Sequence, residues 1–276
     1  MSLARERTAA VGWETQHILT DGHYITPSGR PIDLAALLAQ AKAGTRSYPP
    51  EAVLPAEFRG AHATTNTVTN ESTLVAARRL VEQGYHVAAL NFASARQPGG
   101  GWHAGARAQE ESLARASGLV ACIADDPMYA CHERMRDALY TSSAIYSPDI
   151  PVFRDDDGRL LDAPYLVSFI TVPAVNAGVV LERDRSRRAE VTATMRERVA
   201  RVLAIAAIHG HDALILGAWG CGVFRNDPAE IANCFAEGLC GPFQGAFATV
   251  VFAVLDTSPE RRFIDPFERA FPGKAS

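Results

Sequence analysis

The tripeptide Gln109-Glu110-Glu111 places two carboxylic acids side by side, seven residues beyond the triplet Gly99-Gly100-Gly101. A carboxyl group can protonate a leaving oxygen and then, once ionised, take a proton from water. On a helix, neighbouring residues point about 100° apart, so the two acids cannot do the same job on one ligand atom. One can act while the other positions. Acidic residues at a helix start also complement the macrodipole, so the pair alone does not establish catalysis.

Two glycine-rich stretches give the acids a context: Gln97-Pro98-Gly99-Gly100-Gly101-Trp102 and Gly217-Ala218-Trp219-Gly220-Cys221-Gly222-Val223-Phe224. Each follows an apolar run and precedes a helical pattern, which is where open α/β sheets bind ligands, at the carboxyl ends of their strands. Glycine lets backbone amides approach a phosphate, and a helix N-terminus adds partial positive charge. A diphosphate can be held in this way with little formal charge. The G-x-x-G-x-G spacing at 217–222 is neither a dinucleotide fingerprint nor a Walker loop, and the Gly273-Lys274 pair has no such loop before it. A Rossmann dehydrogenase and a P-loop ATPase are therefore excluded.

The elements that must position these loops are legible from periodicity. A helical pattern at about 3–20, a hairpin around Pro27–Arg30 and a helix capped by Asp33 make up an N-terminal accessory segment, 1–57. From about 62 onward, short β-branched runs alternate with amphipathic helices, as in an α/β sheet covered by helices. Helices are expected at about 72–83, 108–124, 128–140 and 184–208, and from Pro228 with Asp227 as its cap. Strands are expected at 86–92, 144–147, 164–172, 213–216 and 246–255, with a turn at Asp155–Gly158 and a short closing helix.

The composition is that of a soluble globular protein, 47% apolar and 21% charged. A net charge of -4 with dispersed Lys and Arg leaves no basic track for sequence-specific nucleic-acid binding. The five cysteines are odd in number and show no C-x-x-C spacing, which fits reduced thiols. The first residues lack the apolar core of a signal peptide, and no apolar run approaches the roughly 18 residues of a membrane span. A cytoplasmic location with no membrane partner is expected. The eight histidines form no paired ligand motif, and His103, near the glycine triplet, lacks a second ligand, so no metal site is expected.

The order Gly99-Gly100-Gly101, seven residues, Gln109-Glu110-Glu111 resembles the signature of poly(ADP-ribose) glycohydrolases, which are macrodomain proteins. The stretch from Gly217 to Asp227 is similar to that family's diphosphate-binding loop, and the short N-terminus is similar to that of the compact bacterial-type members. The resemblance spans roughly residues 58 to 258. It implies an α/β, macrodomain-like fold with a mixed central sheet flanked by helices, the catalytic domain running over 58–276. Glu111 and Glu110 are implied as the catalytic pair, Glu111 carrying the chemistry and Glu110 orienting the ribose, while Gly99, Gly100, Gly101 and Gln109 belong to the substrate site.

The backbone of Gly220, Cys221, Gly222, Val223 and Phe224 would hold the diphosphate, with the Phe224 ring packing on the ribose. Asn91 and Ser94 stand where animal members have an Asp-Phe-Ala-Asn sequence that contacts the terminal ribose. The family's adenine-stacking aromatic falls near Leu255, so Phe252 or Phe263 is expected to replace it.

The implied activity is hydrolysis of ribose-ribose O-glycosidic bonds, releasing ADP-ribose from chain ends with no cofactor. Poly(ADP-ribose), ADP-ribose and ADP-ribosylated proteins are the implied partners. Two other readings share the same motifs: a module that binds ADP-ribose without cleaving it, and a hydrolase of another ADP-ribosyl linkage.

Overall fold

The structure, a computed structural model, describes residues 3–272, so the Gly273-Lys274 pair lies outside the described residues. The chain begins with α1 (Leu3–Asp21), the hairpin β1 (His23–Ile25) and β2 (Pro31–Asp33), α2 (Ala35–Gly44) and β3 (Arg46–Tyr48). Gly29 closes the hairpin turn at φ +84, a backbone region in which glycine has no steric cost. Leu34 occupies the cap position of α2, but the Asp33 carboxylate still accepts from the Ala35 amide at 2.8 Å.

The remainder alternates β4 (Thr65–Thr69), α3 (Thr73–Glu82), β5 (Val87–Ala93), α4 (Gln109–Ala116), α5 (Leu119–Ile123) and α6 (Pro127–Arg134). Then come the paired strands β6 (Ala144–Arg154) and β7 (Leu160–Pro173), α7 (Ala177–Arg183), α8 (Arg188–Ile208), β8 (Ala213–Leu216), α9 (Pro228–Cys240), β9 (Thr249–Ala253) and α10 (Ile264–Ala270). Seven strands form one mixed sheet in the order β3-β6-β7-β5-β8-β9-β4. The pairs β7/β5, β5/β8, β8/β9 and β9/β4 are parallel, while β3/β6 and β6/β7 are antiparallel.

Both faces of the sheet are covered, which is why its central strands read as unbroken apolar runs. Side chains alternate between faces: Leu214 and Leu216 join Val202, Leu203 and Phe235 on one side, and Ala213 and Ile215 join Leu74, Leu80 and Leu113 on the other. The two glycine loops leave from the carboxyl ends of the neighbouring strands β5 and β8.

Several expected boundaries move because tertiary contacts override local periodicity. The expected helix 108–124 is broken between α4 and α5. There Ser117 turns extended and pairs with Val152, its hydroxyl returns to the Leu113 carbonyl, and the Gly118 amide bonds to Pro151. The expected helix 128–140 stops at Arg134, and the carbonyls of Leu139 and Tyr140 bond instead to the fully buried Arg198 guanidinium. The helix expected from 184 starts at 188 and is preceded by α7, capped by Asn176. Strand β9 is shorter than 246–255, and β6 and β7 are longer than expected, flanking the expected turn.

Strand β3 carries no strand pattern of its own yet adds an edge to the main sheet, so the N-terminal segment is part of the sheet as well as packed on it. Asp227 caps α9 by accepting from Ala229 and Glu230, with Pro228 in the first helical position, as the sequence implies.

Candidate active site

The carboxyl ends of β5, β8 and β9 open into a cavity of about 460 Å³. Its walls include Phe92 near the end of β5 and Ser94 just after it, Gln109, Glu110 and Glu111 from the start of α4, and Gly220, Gly222, Val223 and Phe224 from the second glycine loop. Two segments more than a hundred residues apart in sequence thus meet in one space.

The first glycine triplet has a different task from the second. Gly99 donates to Glu110 Oε1 at 3.2 Å, Gly101 donates to Glu111 Oε1 at 3.0 Å, and the Gly100 amide bonds to the Gln97 carbonyl. All three amides are therefore engaged within the protein, and the triplet lies behind the carboxylates rather than among the cavity walls. Its residue type follows from this packing. Gly99 and Gly100 have φ of +73 and +59, and a Cβ on Gly100 would collide with Glu111 Oε1.

In the second loop the Cys221 amide bonds to the Ala218 carbonyl, and its thiol is buried, which pushes the thiol pKa upward. Among the described residues, the amides of Gly220, Gly222, Val223 and Phe224 have no acceptor within the protein. Asn226 stiffens the loop, donating from its amide to the Val175 and Gly220 carbonyls at 2.8 and 3.1 Å. A Cβ on Gly220 (φ +71) would lie 2.5 Å from Ala174 Cβ. The Trp219 ring anchors the loop from below, fully buried, with its indole N–H donating to Val172. Successive unengaged backbone amides are the donor set from which anion-binding concavities are built.

Gln109 fixes the start of α4. Its side-chain oxygen accepts from the Phe92 amide at 2.9 Å, and its NH₂ donates to the Leu90 carbonyl and the Thr73 hydroxyl. Glu110 is 3% exposed and accepts from Ser94 N at 2.6 Å, Gly99 N and Asn91 Nδ2. Burial pushes its carboxyl up to about 8, against the pull of those three donors, with the neighbouring Glu111 charge adding to the rise. Glu111 is only partly buried and borders the cavity. Asn91 is fully buried between Glu110 and Thr171 and is not a cavity wall, whereas Ser94 is.

The far end of the cavity is lined by Glu71, Asp156, Leu255 and Phe263. Phe252 is fully buried and stacked on Phe271 at 4.1 Å, so of the two expected aromatics only Phe263 reaches the cavity. The Asp256 carboxylate accepts from the Phe263 and Ile264 amides and from Ser258. These bonds outweigh the upward push of burial and hold its pKa at about 2. Glu71, paired with Arg79, and Asp156, bonded to the Ser72 hydroxyl at 2.5 Å, carry no motif and were not found from sequence. Only the fold brings them to this wall. His103 lies stacked between Trp13 and Trp102.

A family model described as the microbial-type PARG catalytic domain matches residues 13–155. No curated protein was found to match. Among solved structures, the poly(ADP-ribose) glycohydrolase from Thermomonospora curvata is similar at 50% identity and TM-score 0.91, covering 96% of this chain and 100% of that chain. The same enzyme bound to the inhibitor ADP-HPD is similar at 51% identity and TM-score 0.90, with the same coverage. The glycohydrolase from Deinococcus radiodurans in complex with ADP-ribose is similar at 48% identity and TM-score 0.79, covering 84% of this chain and 96% of that chain.

The buried Glu110 generates a pH prediction. Its carboxyl binds a proton more tightly in the fold than in the unfolded chain, so its contribution to stability is full below about 4.5 and is lost as pH rises through about 8. Melting temperature should decline across that window in the native protein, and Glu110→Gln should flatten the decline. Parallel curves for the two proteins would contradict the assignment.

Proposed function

The chain belongs to the family of microbial-type poly(ADP-ribose) glycohydrolases and is a glycosidase acting on poly(ADP-ribose), and from that premise we propose how its residues divide the work. The observation that carries the proposal is that Glu111, tied by the Gly101 amide, and the unengaged amides of Gly220–Phe224 line one cavity. In this reading the loop amides hold the diphosphate of ADP-ribose, and the Phe224 ring packs on the distal ribose. Phe263 stacks on the base at the far end, where Glu71 offers a carboxylate acceptor.

Hydrolysis of the O-glycosidic bond needs a proton on the leaving oxygen, relief for an oxocarbenium-like sugar and an activated water. Glu111 supplies the proton to the leaving ribose oxygen as the bond to the anomeric carbon breaks. The bound diphosphate stabilises the positive charge on the sugar. The ionised Glu111 then takes a proton from water, which adds to the anomeric carbon, and the carboxyl returns to its starting state. The first step requires the carboxyl to carry its proton when substrate binds. Glu110, buried and engaged by three donors beside Glu111, orients the ribose-binding wall in this reading.

Because one carboxylate serves both steps, water enters on the face that the leaving group vacates, and the anomeric configuration is retained. Trimming from chain ends, with ADP-ribosylated proteins as carriers of the polymer, fits the compact N-terminal segment. We place the enzyme in the cytoplasm, in keeping with its five free cysteines.

Glu111→Gln keeps the shape and removes the transferable proton. Release of ADP-ribose from labelled polymer should fall by at least about 100-fold, while calorimetric ADP-ribose affinity is preserved. Substantial residual turnover would refute the role. Gly100→Ala should lower kcat strongly at similar affinity, since its Cβ occupies the space of Glu111 Oε1. A variant with native kcat would show that the carboxylate position is not critical. NMR of freshly released ADP-ribose should show the retained anomer, and early digests should contain ADP-ribose rather than oligomers. The inverted anomer would exclude a single acid-base group on one face.

A further inference from the structure

Helix α1 takes no part in the reaction as described, yet it is packed on the turn that follows the glycine triplet. The Trp13 ring stacks on His103 with centroids 4.3 Å apart and 16° between planes, and His103 stacks on Trp102 at 3.8 Å. Gly12 lies so close to the same turn that a Cβ there would stand 2.8 Å from the Trp102 carbonyl oxygen. Arg5 donates to the Ala104 carbonyl at 2.9 Å, and Gly105, at φ +74, has no room for a side chain against the Arg5 carbonyl. From the other side, the buried Arg115 guanidinium donates to the Ala106 carbonyl at 2.6 Å and to Trp102 at 3.4 Å. The Thr15 hydroxyl closes the circuit by donating to the Arg115 carbonyl at 2.6 Å.

The turn at 102–106 is thus clamped between α1 and α4. The turn is tied to Glu111 through Gly101 and to the helix that carries Glu111 through Arg115. Gly101, immediately before the turn, donates to the Glu111 carboxylate, and Arg115 stands four residues further along α4, on the same helical face. Ordinary core packing does not account for the arrangement. Trp13 is 55% exposed, and the buried residues of α1 are Gly12, Thr15 and Ile18, two of which touch this turn or α4.

We propose that α1, through Trp13 and Gly12, is a positioning element for the Glu111 carboxylate, acting through the Trp13–His103–Trp102 stack and the Gly101 amide rather than on the substrate. The proposal rests on the assignment of Glu111 above. Displacing a catalytic group by about 1 Å costs up to about 100-fold in rate without touching the binding contacts. Holding the Gly101 amide in place therefore matters to the chemical step and not to ADP-ribose affinity.

The test is made on the full chain with three variants: Trp13→Ala, Trp13→Phe and Gly12→Ala. Expected are a kcat lower by about 10-fold to 100-fold in Trp13→Ala and Gly12→Ala, with KM for polymer and calorimetric Kd for ADP-ribose held within about twofold. Trp13→Phe, which keeps a flat ring on His103, should recover most of the lost kcat. A kcat within about twofold of native in Trp13→Ala overturns the proposal, as does a parallel loss of kcat and ADP-ribose affinity, or a failure of Phe to rescue. Loss of cooperative unfolding in both Trp13→Ala and Gly12→Ala also overturns it, because α1 would then serve the whole fold. Absence of turnover by the native chain would instead count against the function itself. Native-like kcat in Trp13→Ala beside an inactive Glu111→Gln removes only the positioning role.

Discussion

The site depends on a short set of hydrogen bonds, those from the Gly99 and Gly101 amides to two adjacent carboxylates. Two acids side by side on one helical turn repel each other and diverge in direction, so each needs its own partner to be held still. Backbone amides supply that partner only if no side chain intervenes, and Gly100 shows how little space remains. The result is an unequal pair. One carboxyl is buried and engaged by three donors, while the other is held by a single amide and partly open to the cavity.

Two loops of similar composition have come to do opposite things with their amides. In the first, every amide of the triplet is engaged internally, so its glycines serve close packing. In the second, Asn226 and Trp219 hold the loop from within and leave four amides with no acceptor among the described residues. Composition alone presents both as phosphate cradles. The difference lies in the partner each loop meets: α4 presses its acids onto the first, whereas the second faces open space at the end of β8.

This explains what the sequence could and could not convey. The sheet, its covering helices and the order of the loops follow from periodicity and from the glycine and proline signals, since both faces of the sheet are buried. The split between α4 and α5 could not be read, because Ser117 leaves the helix to pair with Val152, a partner far along the chain. Likewise β3 has a strand conformation only because β6 offers an edge. In the site, Glu111 and the second loop stand out by residue type and spacing. Glu71, Asp156 and the inward turn of Phe263 depend on loops that only the folded chain assembles. The helix expected at about 3–20 is found as α1, but nothing in its weakly patterned sequence signals that Gly12 and Trp13 press on the turn beside Glu111.

The scarcity of cations in the site has a chemical reason. Arg107 is the one Lys or Arg among the described cavity-lining residues, although the ligand carries a diphosphate. Lysines or arginines around the anion would bind it strongly but would also neutralise its field. In the mechanism proposed above, neutral amides hold the phosphates while leaving their charge in place. That charge stabilises the positive sugar as it forms. In that mechanism a receptor built from backbone N–H groups leaves the anion's field available to the developing sugar cation, which a cationic receptor of equal affinity would oppose.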